Sequence, residues 1–170
     1  MTVNDSEELS LKPYVIRFSI FYALFSIGLA VLAGLFDSFF EVNIPSSGVA
    51  LGALFGSAYA VVYAFVEKNN RVFTADEKTR LAWMSFGAMW LVSITLFIIM
   101  SIGFYIFFGV SLWSVLVGKH ELSSGLFFFV MLITIVVSFA QYFLLRWIYG
   151  KTPQQILDAQ KKKQQKSTNN

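Results

Sequence analysis

"LAWMSFGAMWLVSITLFIIMSIGFYIFFGVSLWSVLV", residues 81–117, contains no Asp, Glu, Lys, Arg or His from Ala82 to Val117. A bilayer span needs roughly 20 apolar residues, so this stretch places the chain among integral membrane proteins. It is also too long for one perpendicular span. As a continuous helix it would extend ~55 Å, against a hydrocarbon core of ~30 Å. Two spans need about 40 residues plus a turn, and the stretch holds no strong turn signal. It is therefore read as one span with a surplus of about Tyr105 to Val117.

Working outward, three further apolar segments flank it. The spans are expected at about 14–36, 46–66, 81–104 and 125–149, separated by "DSFFEVNIP", "EKNNRVFTADEKTR" and "GKHELSS". With four spans, 12 of the 13 Lys and Arg residues fall on one side and Lys119 alone on the other. A fifth span would place the lysine-rich tail outside and break this bias. The positive-inside rule then gives an all-α bundle with both termini cytoplasmic, in a bacterial inner membrane. The surplus after the third span is expected to bend at Gly103 or Gly109 into the outer interface, a setting that suits Trp113. One long tilted helix reaching into the periplasm is the alternative.

Composition agrees. Of the 170 residues 56% are hydrophobic and 14% charged, with a mean hydropathy of +0.65, which excludes a disordered chain. The absence of cysteine removes disulfides, thiolate nucleophiles and cysteine metal sites. The acidic opening "MTVNDSEELS" lacks a basic n-region, so the first span is expected to be retained. Thr2 and the absence of a C-a-a-X ending argue against lipid anchors. Residues 1–150 read as the bundle, and 151–170 as a short cytoplasmic helix with a basic tail. "TADE" (Thr74 to Glu77) fits a capping box before the third span. "TPQQ" (Thr152 to Gln155) fits a cap, a first-turn proline and a reciprocal glutamine opening that short helix.

In the second span Gly48, Gly52, Gly56, Ala60 and Ala64 recur every four residues and form one narrow stripe on a helix. Small residues allow close backbone approach in lipid, where hiding leucine gains little. The stripe is expected either to pack within the chain or to form an oligomer interface or a lipid cleft. A small-residue face on the first span (Ser19, Ala23, Ser26, Ala30, Ala33) is a candidate partner.

Functional groups are sparse. No acid or base sits near any midplane, which argues against a charge-relay transporter. Arg17 and Arg146 lie just inside the first and fourth spans, where their stems can snorkel. Together with Trp147 and Lys151 they could hold an anionic headgroup, or serve as ordinary interfacial anchors. Glu67 is a candidate ion-pair partner for either arginine, and Trp83 and Trp147 suit the aromatic belt. The single histidine, His120, and its carboxylate neighbours read as a solvated loop rather than a metal site. No nucleophile–base pair, phosphate loop or HExxH occurs, so an enzyme is not expected. Neither is a cofactor, a metal or a nucleic-acid partner, and phospholipid is the one candidate ligand.

"LKPYVIRF" and "RVFTADEKTRLAW" carry a resemblance, through Pro13, Tyr14 and Arg17 and then Arg71, Thr74, Glu77, Arg80 and Leu81. Across the four spans the chain resembles a family of small four-span inner-membrane proteins from Acinetobacter and related gamma-proteobacteria. The resemblance implies a homo-oligomer, a homotrimer favoured, connected with keeping the cell envelope intact, and it implies no catalytic residues. The expected function is thus a non-enzymatic, self-associating membrane protein that binds anionic phospholipid. The alternatives are a small transporter or lipid-translocating protein using a cleft along the glycine stripe, and an accessory subunit of a larger complex.

Overall fold

The computed structural model describes residues 10–42, 44–109 and 124–168. They form four helices: α1 Lys12–Phe40, α2 Ser46–Asn69, α3 Ala75–Phe108 and α4 Ser124–Thr168. All four are long and apolar enough to cross a membrane. Among the described residues there is no strand.

Local chemistry sets the helix ends. Pro13 occupies the first turn of α1, where its missing N–H costs nothing. Thr74 and Glu77 close the expected capping box. The Glu77 N–H donates to Thr74 Oγ1 at 3.2 Å, and the Thr74 N–H donates to Glu77 Oε2 at 2.9 Å. The first three helices stop in left-handed residues, Glu41 (φ 55°), Asn70 (φ 49°) and Gly109 (φ 68°). Their N–H groups satisfy the carbonyls of Asp37, Val66 and Tyr105, as C-terminal caps do.

Of the two expected bend points Gly109 interrupts the third helix and Gly103 does not, and the expected short helix after the fourth span is not separate. The third helix runs straight through Gly103 and ends only at Gly109. One glycine weakens a helix by about 1 kcal/mol, less than an unpaired backbone group costs in lipid, whereas Gly109 adopts positive φ freely. The rest of the expected outer segment, residues 110–117 with Trp113, lies outside the described residues. In α4, no separate short helix starts at Thr152. The helix continues past the fourth span to Thr168 with Pro153 inside it. Proline lacks one N–H and crowds the preceding turn, but here its ring is fully buried against the bundle, and packing overrides the local preference.

α1 packs against α2 and α3, and α4 packs against the same two helices. The pairs α1/α4 and α2/α3 are therefore diagonals of the bundle. The core gathers at the end where residues 70–74 connect α2 to α3, called here the connector end. Tyr14, Phe18 and Tyr22 of α1 are buried there, with residues from Ala53 to Val66 of α2. Leu81, Ala82, Ser85 and Met89 of α3 join them, as do Tyr142, Leu145, Ile148, Tyr149 and Ile156 of α4. Beyond Tyr22 and Met89, and before Ala53 and Tyr142, no described helical side chain is buried.

Rings and hydrogen bonds tie the connector end together. Phe65 meets Tyr14 at 5.3 Å and Phe73 at 3.8 Å between centroids, and Phe73 meets Tyr149 at 5.9 Å. The Asn69 side-chain amide donates to the Tyr14 hydroxyl at 2.9 Å and to the Phe65 carbonyl at 2.8 Å. The hydroxyls of Ser85 and Tyr149 share a buried hydrogen bond of 2.9 Å, and Ser57 donates to the Ala53 carbonyl. Among the described residues no buried side-chain polar atom lacks a partner, as a low-dielectric interior demands.

Candidate functional site

Three of the four expected lipid-site residues come together. Arg146, Trp147 and Lys151 line an open cleft of about 900 Å³ where the start of α3 faces α4. Their spacing explains this, because positions 143, 147, 150 and 151 fall on one helical face. The Lys151 ammonium lies 5.4 Å from the centre of the Trp147 ring, within cation–π range. Lys78 of α3 completes the cleft. Its stem crosses Gly150, where an added Cβ would stand 3.5 Å from Lys78 Cδ and 3.8 Å from Nζ. Among the described residues the lining thus holds three basic side chains and no acidic one. Like charges sharing a concave surface favour an anion there.

Phe143 lines this cleft and also a second one. The second is an apolar groove of about 500 Å³ between α3 and α4, bounded by Trp83, Phe86, Trp90, Met131, Ile135, Phe139 and Tyr142. Its size is that of a small-molecule site. Rings brace its floor: Tyr142 packs against Trp83 at 4.6 Å and against Phe86 at 6.2 Å. The Ser138 hydroxyl on its wall donates to the Thr134 carbonyl of its own helix at 2.7 Å. A polar head region and an apolar trough therefore adjoin on one face of the molecule.

Arg17 does not join this site. It is exposed on α1, the helix diagonal to α4. The expected pairing of Glu67 with Arg17 or Arg146 is also not formed. Glu67 is exposed on the last turn of α2. The described ion pair is instead Arg71–Glu77, with Nη1 and Nη2 donating to the two carboxylate oxygens at 2.7 and 2.6 Å. The left-handed turn at Asn70 carries Arg71 across to the start of α3, and its guanidinium lies 5.2 Å from the Phe65 ring centre. Glu77 precedes the charge-free segment. Its hydrogen bonds from Arg71 hold the carboxyl at about 2, against the opposing effect of burial and with help from Thr74. The same contact raises Arg71.

The glycine stripe is partly covered by its own chain. A Cβ at Gly52 would stand 3.0 Å from Leu29 Cδ1, and one at Gly56 3.1–3.3 Å from the Phe25 ring. These large α1 side chains, rather than the expected small-residue face, pack against the two glycines, Gly56 being half-buried and Gly52 still exposed. Gly48 is exposed, with only Ile44 and Pro45 nearby, and Ala60 and Ala64 are half-buried. Lys119 and His120 lie outside the described residues. Among the described residues no three His, Cys, Asp or Glu side chains group as metal ligands would.

The sequence reading missed Lys78 as a site residue. The capping box fixed its place near the start of α3, but its meeting with Gly150 depends on the α3–α4 register, which no local pattern encodes. No protein-family model matches the chain, and neither the curated proteins nor the solved structures provide a match.

Proposed function

We propose that the chain is a non-enzymatic, self-associating scaffold of the bacterial inner membrane that holds anionic phospholipid at its cytoplasmic rim. A role in keeping the cell envelope intact follows as part of this reading. The observation that carries it is the cleft where Lys78, Arg146 and Lys151 converge with no acidic lining residue among those described. Basic residues near a membrane surface attract anionic lipid by about 1 kcal/mol each. The bias of basic residues supports a cytoplasmic setting for this end, and Lys161 and Lys162 further along α4 add positive charge to it. The competing idea of a translocation cleft along the glycine stripe has less support, because Leu29 and Phe25 of the same chain pack against Gly52 and Gly56.

Native mass spectrometry of the protein released from its own membrane tests the proposal. The wild type is expected as a defined oligomer, a trimer favoured, with phosphatidylglycerol or cardiolipin retained. The double variant Arg146→Glu, Lys151→Glu is expected to keep the oligomer and lose the lipid. Equal lipid content in both would refute lipid binding at this cleft, and a monomer throughout would refute self-association.

A further inference from the structure

We infer that the apolar groove between α3 and α4 takes one acyl chain of the anionic phospholipid whose headgroup occupies the basic cleft. This rests on the reading of that cleft as a headgroup site and adds where the lipid's tail goes.

The cleft bounded by Lys78, Arg146 and Lys151 presents positive charge. The groove beyond it presents rings and aliphatic side chains, with Trp83 and Trp90 on the α3 wall and Ile135 and Phe139 on the α4 wall. Phe143 borders both, so the two adjoin at an aromatic ring. A ligand that satisfies the two together carries a negative charge at one end of an apolar chain. A free phosphate satisfies only the cleft, and an apolar helix of a second copy only the groove. A phospholipid joins both in one molecule and is the solvent of the site. The groove also offers little to a polar occupant, since its lining is almost wholly apolar apart from Thr134 and Ser138, and the Ser138 proton is already donated to the Thr134 carbonyl.

The test uses fluorescence quenching by acyl-brominated lipids, because two of the chain's four tryptophans line the groove. The full-length protein and its Trp113→Phe variant, which keeps Trp147 in the headgroup cleft and Trp83 and Trp90 in the groove, are placed in phosphatidylcholine vesicles. Brominated phosphatidylglycerol or brominated phosphatidylcholine is then added at low mole fraction. The phosphatidylglycerol form is expected to half-quench at a lower mole fraction, by on the order of fivefold for each cation engaged. Arg146→Glu is expected to remove most of that preference.

Equal quenching by the two lipids, with anionic lipid still retained in native mass spectrometry, would overturn the acyl-chain inference and leave the headgroup site standing. Equal quenching with no retained lipid would overturn both. Retention of soluble glycerol phosphate in native mass spectrometry, together with equal quenching by the two lipids, would show that the phosphate alone is recognised. Quenching by both lipids that rises as the protein is diluted in the vesicles would show a second copy seated in the groove. Either of the last two results overturns the inference. Measuring the four-tryptophan protein in parallel keeps the test decisive if the Trp113→Phe variant fails to fold.

Discussion

The connector end and the opposite end of this bundle share the same four helices and differ in almost everything else. At the connector end Phe65 is fully buried among Tyr14, Phe73 and the Arg71 guanidinium, and the polar groups there are paired. At the opposite end Phe36, Phe39, Phe40, Ile106 and Phe107 are all exposed. Lipid is as apolar as these side chains, so helices gain little by hiding them from it. Shape-matched packing and hydrogen bonds hold helices together in a membrane, and the sequence concentrates both at one end. The α3–α4 groove starts where that order gives out, at Trp83 and Tyr142.

The largest expected contrast is between Phe65→Ala and Phe107→Ala. The first empties a site whose side chain is 0% exposed. It should cost about 3 kcal/mol, the low end for soluble cores, because lipid replaces water outside. The second removes a ring that is 83% exposed and should stay within about 0.5 kcal/mol. Thermal unfolding in detergent compares them, and equal losses would erase the distinction between the two ends.

Next comes Gly56→Leu against Gly103→Leu. A side chain at 56 meets the Phe25 ring, whereas nothing lies within 4 Å of a Cβ at 103. Overpacking at 56 should cost about 1–3 kcal/mol, while the change at 103 should be neutral or mildly stabilising through helix propensity. Similar melting temperatures would show that α1 does not seat on the glycine stripe.

A smaller effect is expected from the buried hydroxyl pair. Tyr149→Phe or Ser85→Ala alone leaves one hydroxyl unpaired and should cost about 0.6 kcal/mol, at most ~1.7. The double variant should cost less than the sum of the two, and a double-mutant cycle measures the coupling. Strict additivity would show that the two hydroxyls do not interact.

The smallest effect is a pH dependence. The Glu77 carboxyl is held at about 2 by Arg71, below its ordinary 4.5. A group with a depressed folded pKa stabilises fully above its unfolded value, and that contribution fades as pH falls through the folded value. Melting temperature should therefore decline from about pH 4.5 toward pH 2, and less so in Glu77→Gln. Partial exposure of both side chains keeps this change small. A decline of the same size in Glu77→Gln would assign it to other carboxyl groups.

The parts of the molecule that were legible in advance are those that local chemistry governs. The charge-free stretch from Ala82 specified a span, and Thr74 with Glu77 specified a helix start. The row Gly48, Gly52 and Gly56 marked a surface for close approach, and the neighbours Arg146, Trp147 and Lys151 marked one basic face. What stayed hidden depends on which helices meet. Arg17 looked equivalent to Arg146 until α1 and α4 proved to be diagonal. The glycines were matched to small residues, but Phe25 and Leu29 pack against them. Pro153 read as a helix start because its local preference is plain, and only its burial shows why α4 continues. Lys78 entered the site through the α3–α4 register alone.

The most direct test of a locked end and an open end is a pair of distance distributions. The chain has no cysteine, so spin labels can be placed at will through introduced ones. One doubly labelled protein carries them at Lys12 and Asp76, the other at Phe36 and Ile106, all exposed positions on α1 and α3. Pulsed electron–electron resonance in vesicles should give a narrow distribution for the first pair and a broad one for the second. Equally narrow distributions would contradict the account, because the far halves of the helices would then be held as firmly as the connector end.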